Sequence, residues 1–301
     1  MTKAVIGHLS FALIELQNNI IDKLNILEFT LLIWIGSFFA GFLGALTGLG
    51  GGVVIVPMLT LIFGVDIRYA IGASLVSVIA TSSGAAAAYV KEGFSNIRIG
   101  MFLEIATTIG ALFGAYLVAK ISTNFIAVIF GLVLLISAYL SSKLKQQEIV
   151  DSRPDSIAEW LKMNSSYPSL QGLKKYNVHH IPHGFGMMFI AGTLSGLLGI
   201  GSGAAKVLAM DQVMRIPFKV STTTSNFMIG VTAAASAGIF LSRGYIDPGL
   251  AMPVMLGVLS GSLIGAKVLV RTRTRWLRLV FGFVILVLAI EMTFKGLKGI
   301  L

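Results

Sequence analysis

A stretch of 37 residues without a single charge, residues 29–65, constrains this chain more than any other feature. Its middle reads GALTGLGGGVVIVPML, in which four glycines between Gly48 and Gly52, and then Pro57, interrupt an apolar run. One helix of that length would extend about 55 Å, far beyond the roughly 30 Å hydrocarbon core of a bilayer. The stretch therefore predicts a hairpin of two helical pieces that turns at the glycines.

The rest of the chain also has the composition of a membrane protein. Of its 301 residues, 55% are hydrophobic and only 12% are charged, whereas soluble domains are about one quarter charged. Further uncharged runs are long enough to cross a bilayer, namely 69–90, 121–142, 220–242 and 248–266. We therefore expect an all-α, polytopic membrane protein with the lipid bilayer as its surroundings.

The net charge of +10 does not indicate a nucleic-acid partner, because the basic residues lie between apolar runs, where they orient a protein in the membrane. There is no cysteine, which excludes disulfides and thiol chemistry. No cleavable signal peptide is evident. Residues 1–27 mix apolar and charged positions, and we expect an N-terminal amphipathic segment at the membrane surface, with an additional weak span as the alternative.

The sequence repeats itself after a shift of 151 residues. GFLGALTGLGGG at 41–52 overlays GTLSGLLGIGSG at 192–203 with six identities, and the same shift pairs Ser74 with Ser225 and Thr81 with Thr232. Each half then reads as a glycine-broken hairpin followed by three transmembrane helices. We expect hairpins at 29–65 and 184–217, and helices near 68–90 and 219–242, 98–119 and 249–270, and 124–142 and 276–294.

The predicted organisation is thus an N-terminal segment (1–27), a first transmembrane repeat (28–142), a linker (143–183) and a second repeat (184–296). The linker is polar and contains three prolines, so a solvated loop is expected there.

Positive charge favours inverted over parallel repeats, because cytoplasmic loops concentrate Lys and Arg. If each hairpin returns to its own side, the halves are inverted, and 15 basic residues fall inside against 5 outside. If each hairpin crosses once, the halves are parallel and the split is 11 against 9. The inverted arrangement also places the linker in the cytoplasm.

Broken helices in matching positions of inverted repeats indicate a transport site. Unpaired amides at the start of each second arm carry the positive end of the helix dipole and suit an anion. The alternative is helix packing through small residues, which we prefer for Gly41, Gly44, Gly110, Gly114, Gly261 and Gly265. A phosphate loop is excluded, since neither cluster contains the GK of a Walker motif. The candidate site glycines and their neighbour are Gly50, Gly51, Gly52, Gly201, Ser202 and Gly203.

Several polar side chains at membrane depth are further candidates. Lys206 follows the second glycine cluster and is a candidate for binding an anion or for coupling through protonation. Snorkelling to the interface or pairing with Asp211 are the alternatives. Glu104 is either a coupling carboxylate or a residue near the headgroups. Ser74, Ser225 and Asn226 can hydrogen-bond an oxyanion, and Ser221 and Thr222 are better explained as helix caps.

The segment HHIPH, with His179, His180 and His183, has no other obvious metal ligand beside it, so solvated histidines are favoured over a metal site. No catalytic motif is present, and an enzyme is not expected.

At GLGGGVVIVPML the sequence resembles the TauE/SafE family, and the resemblance continues in AIGASLVSVIATSSG at 70–84 and in GIGSG of the second half. It covers most of residues 29–294. The resemblance implies export of small sulfur-containing anions, such as sulfite or sulfoacetate, across the cytoplasmic membrane of a bacterium or archaeon, without an organic cofactor. The second half departs from the first at Ser202, at Lys206 and at Leu208, which stands where Pro57 does.

We therefore predict a secondary transporter of small sulfur oxyanions that works by alternating access. An anion channel and a cation or metal permease are the rival transport functions, and a membrane enzyme or accessory subunit is a third rival. A homodimer is a further hypothesis that the sequence itself does not support.

Overall fold

A computed structural model describes residues 25–47, 51–91, 95–143, 155–169, 172–269 and 274–300. The expected amphipathic segment lies almost wholly outside these residues. The first half contains α1 (Ile26–Thr47), α2 (Gly52–Leu61), α3 (Ile67–Lys91), α4 (Ile97–Val118) and α5 (Thr123–Lys143). The predicted helices of this half are therefore confirmed close to their expected bounds.

The linker contains a short helix and two strands, and the helices of the second half come in the same order as those of the first. The linker contains α6 (Ser156–Trp160) and two antiparallel strands, β1 (Ser165–Ser169) and β2 (Gly172–Tyr176). The second half contains α7 (Ile181–Leu198), α8 (Gly203–Leu208), α9 (Phe218–Ser242), α10 (Pro248–Leu269) and α11 (Thr274–Lys298). A π-helical turn, Ala209–Val213, continues α8.

Five of the described helices are long and apolar enough to cross a membrane, and they contain Ile26–Gly44, Ile97–Val118, Ile181–Leu198, Phe218–Ser242 and Pro248–Gly265. Large apolar side chains such as Ile105, Leu263 and Phe283 point away from the protein, where lipid would cover them. The chain is accordingly a multi-pass membrane protein.

Each half packs its first helix against the third long helix of the other half. Helix α1 lies on α10, and α7 lies on α4. A methyl group on Gly261 would overlap the carbonyl oxygen of Phe38, and one on Gly110 would overlap that of Phe189. These two contacts correspond to each other under the 151-residue shift. The packing role predicted for Gly110 and Gly261 is thus found, and Gly41 and Gly114 likewise meet the backbone of a neighbouring helix.

The same glycine contacts give the direction of these helices. Gly257 lies against Trp34 and Gly261 against Phe38, so residue numbers rise together along α1 and α10. Gly110 lies against Phe189 and Gly114 against Thr193, so α4 and α7 also run parallel.

Helix α9 is oriented by its contacts with α3 and α4. The Asn96 amide donates to Thr224 Oγ1, Thr232 Oγ1 bonds Glu104, and the Arg243 side chain bonds the Ala115 carbonyl, so α4 and α9 are parallel. By contrast, Gly72 lies against Tyr245 whereas Gly230 lies against Ser82, so α3 and α9 are antiparallel.

Helices α3 and α10 begin side by side, since Tyr69 of α3 packs on Tyr245 just before α10. Farther along, Ser74 and Val258 both reach the first glycine turn. Helices α1, α3 and α10 therefore run in one direction, and α4, α7 and α9 run in the other. Because α7 and α9 are parallel, the segment α8 with its π-turn must return toward the side where α7 began.

The linker is more ordered than the solvated loop expected from its composition. Ala158, Met163, Tyr176 and Val178 are buried in a cluster with residues of α4, α7 and α9. Asn96, just before α4, fastens it by donating to the Met163 carbonyl at 3.0 Å and to the Tyr176 hydroxyl at 2.7 Å. Burial raises the pKa of the Tyr176 phenol. The prolines and polar residues belong to a small folded unit, since a few apolar side chains between them find a core.

Candidate functional site

The second hairpin turns through an unusual backbone conformation. Helix α7 ends at Leu198, and Gly199, Gly201 and Ser202 then adopt positive φ angles of 67°, 70° and 46°. Glycine accepts this left-handed conformation readily, whereas a serine in it costs about 1–2 kcal/mol. Helix α8 starts at Gly203, so the glycines GIGSG form the turn that the sequence predicted.

Polar groups of this second turn remain unpaired. The amide N–H groups of Gly201, Ser202 and Gly203 make no hydrogen bond with the residues that the structure describes. The Ser202 side chain is only 5% exposed, and its hydroxyl also has no partner there. Buried polar groups without partners are rare and call for an explanation such as a ligand or water. This turn therefore presents several buried hydrogen-bond donors without partners among the described residues.

The first hairpin has its break in the matching place but not in the matching conformation. Gly51 is right-handed, with φ of −67°, and its carbonyl accepts the amides of Val54 and Ile55 as α2 begins. Gly51 corresponds to Ser202, which is left-handed. Gly50 lies outside the described residues, so the predicted site role of that glycine has no structural description.

The two turns meet each other. A Cβ atom on Gly52 would stand 3.1 Å from the Gly199 carbonyl oxygen and 2.8 Å from Ser74 Oγ. Ser74 Oγ donates to that same Gly199 carbonyl at 2.7 Å. The first turn, the second turn and α3 are thus in contact, and the close approach requires glycine at position 52.

The other predicted hydroxyl has a related role. Ser225, the repeat partner of Ser74, donates to the Gly203 carbonyl at 3.3 Å. Both serines therefore use their proton to support a glycine turn in this conformation. Asn226 is half-buried, and its side chain makes no hydrogen bond to the described residues. Ser221 does not cap its helix; its hydroxyl donates to the Ile216 carbonyl, while Thr222 donates back to Phe218.

Apolar side chains cover the turns. A Cβ atom on Gly52 would meet Val78, one on Gly203 would meet Ile229, and Gly201 lies near both. Val78 and Ile229 correspond under the repeat, and both are buried. The unpaired amides are accordingly shielded from water in this conformation.

Lys206 lies in α8, three residues after the turn, and its side chain is fully buried. Its Nζ donates to Thr232 Oγ1 at 2.5 Å, and Thr232 Oγ1 lies 2.7 Å from Glu104 Oε1. This contact overturns both alternatives, snorkelling and pairing with Asp211. Asp211 lies in the π-helical turn, and no ion pair joins it to Lys206 among the described residues. Asp211 instead accepts from Gln212 at 2.5 Å.

Glu104 lies inside the protein, and its depth in the membrane stays a prediction. It is 6% exposed, its Oε1 also accepts from Thr108 at 3.1 Å, and its Oε2 has no partner among the described residues. Sequence reasoning missed Thr232 as the bridge between the two charged residues. The sequence marks Thr232 only through its correspondence to Thr81 under the repeat, and that correspondence does not say which residues lie next to its hydroxyl.

The three histidines lie where the linker ends and α7 begins. His180 and His183 are exposed and His179 is half-buried. Partial burial, together with Arg215 and His180 nearby, lowers the pKa of His179. No group of three or more metal-ligating side chains occurs within the described ranges.

The geometry and the comparisons with other proteins agree on the class of this chain. The probable membrane transporter protein YunE of Bacillus subtilis is 28% identical over 279 residues, covering 90% of this chain and 99% of YunE. The probable membrane transporter proteins YdhB of Bacillus subtilis and MJ0441 of Methanocaldococcus jannaschii are 27% and 24% identical, covering 79% and 87% of this chain and 89% and 94% of their own lengths.

No solved structure matched the chain. The sequence profile of the family described as sulfite exporter TauE/SafE matches residues 33–292, a range that begins in α1, ends in α11 and includes both glycine turns. The chain therefore belongs to the TauE/SafE family of membrane transporters.

Proposed function

We propose that this protein is a secondary transporter that exports small sulfur-containing anions, such as sulfite or sulfoacetate, across the cytoplasmic membrane by alternating access. The observation that carries the proposal is the pair of glycine turns in contact at Gly52 and Gly199, with unpaired amides at 201–203. Backbone N–H groups at a helix start are suited to an oxyanion. Membership of the TauE/SafE family supports the sulfur chemistry of the substrate.

The binding groups would come from both turns and from side chains around them. The amides and hydroxyl of Gly201, Ser202 and Gly203 would contact the anion directly, and Lys206 would supply positive charge. Gly50, Gly51 and Gly52 would form the opposite wall. Ser74, Ser225 and Asn226 would hydrogen-bond the anion once the turns separate. In this conformation the hydroxyls of both serines donate to carbonyls of the second turn.

The two halves would be inverted repeats with the linker in the cytoplasm. In support, the equivalent long helices of the two halves run antiparallel: α1 with α7, α3 with α9, and α4 with α10. Gly131 lies against Thr293 and Gly296 against Asn124, so α5 and α11 are antiparallel as well. An inverted pair allows the same site to open to either side by one rocking motion.

Alternating access would begin with the apolar cover of the turns. Val78 and Ile229 close off the amides in this conformation, so an anion requires a movement of α3 or α9 before it can bind. Such a closed state is expected of a transporter, whereas a channel needs a continuous open path.

The test is transport by the purified protein in proteoliposomes, with labelled sulfite, sulfoacetate, acetate and Mn²⁺ as separate probes. Uptake of sulfite or sulfoacetate that saturates, and that accelerates when the same anion is present on the other side, supports the proposal. Flux without saturation or acceleration indicates a channel, and transport of Mn²⁺ without either anion indicates a cation permease. No flux of any probe contradicts a transport function.

Replacement of Lys206 tests the site within the same assay. Lys206→Ala should weaken anion binding several-fold or more, because it removes the cation next to the unpaired amides. Lys120→Ala is the matched control, since Lys120 is exposed and contacts the Tyr116 ring away from the turns. Unchanged affinity in Lys206→Ala would remove Lys206 from the site.

A further inference from the structure

Two opposite charges are enclosed beside the second glycine turn and do not contact each other directly. Lys206 is fully buried and Glu104 is 94% buried, and no ion pair joins them within the described part of the chain. Thr232 stands between them and touches both. The pair is neutral overall, which is how a charged pair is tolerated in a low-dielectric interior.

The single proton of the Thr232 hydroxyl decides which neighbour receives its hydrogen bond. It carries one proton, so when it accepts from the Lys206 ammonium it can donate to the Glu104 carboxylate, at 2.7 Å. The same proton is also in reach of the Met228 carbonyl at 2.9 Å. The Thr232 hydroxyl therefore connects Lys206 with Glu104. Rotation of its proton toward the Met228 carbonyl would break the bond to Glu104 without moving a helix.

Among the described residues, no other charge neutralises either group. Lys206 is the one charged residue there that acts on Glu104, which also has hydrogen-bonding hydroxyls of Thr107, Thr108 and Thr232 beside it. Glu104 is likewise the one charged residue that acts on Lys206. An anion that binds beside Lys206 would therefore leave Glu104 without a neutralising charge among the described residues.

The arrangement exists on one side of the repeat only. The residues that correspond to Lys206 and Glu104 are Ile55 and Met255, both apolar, while Thr232 corresponds to Thr81. The glycine turns, the supporting serines and the packing glycines Gly110 and Gly114 have counterparts in the other half. The charged pair therefore occurs once in a site that is otherwise repeated, so its role cannot be one that both halves share.

One face of α9 contacts both the glycine turn and Lys206. Ser225, Ile229 and Thr232 form one face of α9, and the first two contact the turn at Gly203 while the third holds Lys206 one helical turn farther on. An anion bound to the amides of the second turn would therefore be close to the Lys206 ammonium and would compete with Glu104 for its charge.

We propose that Glu104 is a proton-binding site linked to the anion site through Lys206 and Thr232, and that one proton is taken up for each anion bound. The proposal rests on the proposed function. The empty site holds the neutral pair. An anion that pairs with Lys206 leaves the Glu104 carboxylate as an uncompensated buried charge, which is strongly unfavourable. A proton from water, added at the unpartnered Oε2, removes that charge.

The linkage has a consequence for transport. The anion and the proton cross together, so a divalent anion moves with a net charge of one, and the membrane potential still acts on it. The empty carrier returns with Lys206 and Glu104 paired through Thr232, and no net charge is moved in that step.

Isothermal titration calorimetry of the purified full-length protein with sulfoacetate tests this linkage. The sulfonate and carboxylate groups stay ionised in the neutral range, so any proton taken up binds to the protein. Repeating the titration in buffers of different ionisation enthalpy counts the protons. We expect about one proton per anion at a pH where Glu104 is ionised in the empty protein and protonated in the complex. Within that interval the affinity should fall roughly tenfold for each unit by which the pH rises.

The variants separate this site from the rest of the protein. Glu104→Gln should bind the anion with little dependence on pH and take up no proton. Thr232→Val should also lower the number of protons taken up, because it removes the bridge between Lys206 and Glu104. Thr222→Val is the matched control, since Thr222 also lies in α9 but its hydroxyl donates to the Phe218 carbonyl of the same helix. Zero proton uptake in the wild type overturns the inference even if Glu104→Gln fails to fold.

The outcomes also separate the inference from the proposed function. If the wild type binds sulfoacetate and Glu104→Gln keeps the same pH dependence, the inference alone is wrong. If the wild type binds sulfite only, the proton count is corrected for the ionisation of sulfite and judged in the same way. If neither anion binds, the proposed function is wrong and the inference with it.

Discussion

Ser74 Oγ lies 2.7 Å from the carbonyl oxygen of Gly199, and this buried hydrogen bond joins residues 125 positions apart. Ser74 belongs to α3 of the first half, and Gly199 begins the glycine turn of the second half. The bond therefore fixes one broken hairpin against the other half of the molecule. It gives the Ser74 hydroxyl a structural partner in this conformation, in addition to the anion contact proposed for the state in which the turns separate.

Ser74→Ala should lower the free energy of unfolding by about 1–3 kcal/mol, because it leaves the Gly199 carbonyl buried without its donor. The midpoint of thermal unfolding in detergent measures the effect. Ser77→Ala is the control: Ser77 is equally buried, but its hydroxyl donates to the Ser74 carbonyl within the same helix. Equal losses in the two variants would contradict a special role for the Ser74–Gly199 bond.

Gly261→Ala should separate α10 from α1 and destabilise the protein by about 1–3 kcal/mol, since the added methyl overlaps the Phe38 carbonyl. Gly110→Ala should do the same between α4 and α7. Gly238→Ala, in α9 with open space around it, should leave the midpoint unchanged or slightly raised. Resistance to unfolding by a denaturing detergent gives the comparison, and a tolerated Gly261→Ala would show that the helices are less closely packed.

The direction of the helices predicts the sidedness of two exposed positions. Ile97 begins α4 and Ser242 ends α9, and since these helices are parallel the two residues should face opposite sides of the membrane. The chain has no cysteine, so single substitutions Ile97→Cys and Ser242→Cys can be labelled directly in intact cells. An impermeant thiol reagent should label only Ser242→Cys from outside, and labelling of both from one side would exclude inverted repeats.

The lowered pKa of His179 predicts that the linker is less stable in acid. The folded linker binds a proton at His179 less readily than the unfolded chain, whose histidine has a pKa of about 6.5, although Asp155 offsets part of this effect. As the pH falls from about 7 toward 5, the unfolded state gains protons and stability decreases. The fall should be smaller in His179→Gln than in the wild type or in the exposed His183→Gln, when unfolding midpoints are compared.

The fold could be predicted well because its main determinants are local or repeated. Long apolar runs need helices in a bilayer, and the glycine clusters at 48–52 and 199–203 mark the places where a helix cannot continue. The 151-residue shift then relates the halves, and it matches the pairs Gly110–Phe189 and Gly261–Phe38, in which the glycine of one half meets the helix of the other.

The contacts of the site could not be predicted in the same way, because they depend on which helix faces which. Lys206 was recognised as unusual, but its contact with Thr232 joins α8 to α9, and that of Thr232 with Glu104 joins α9 to α4. Periodicity assigns a residue to a helix face and does not say which helix will cover it. The folded linker was missed for a related reason, since Asn96 fastens it through contacts that no spacing reveals.

The most direct test of the central claim is to locate the anion. Selenite, the heavier relative of sulfite, would be bound to the protein in crystals, and its anomalous scattering would mark the site. The account predicts a selenium peak roughly 4 Å from the amide nitrogens of Gly201, Ser202 and Gly203, since the oxygens of the anion lie between them, close to Lys206 and facing Gly52. A peak confined to the basic surface of the linker, or no peak beside the two turns in a protein that transports sulfite, would contradict it.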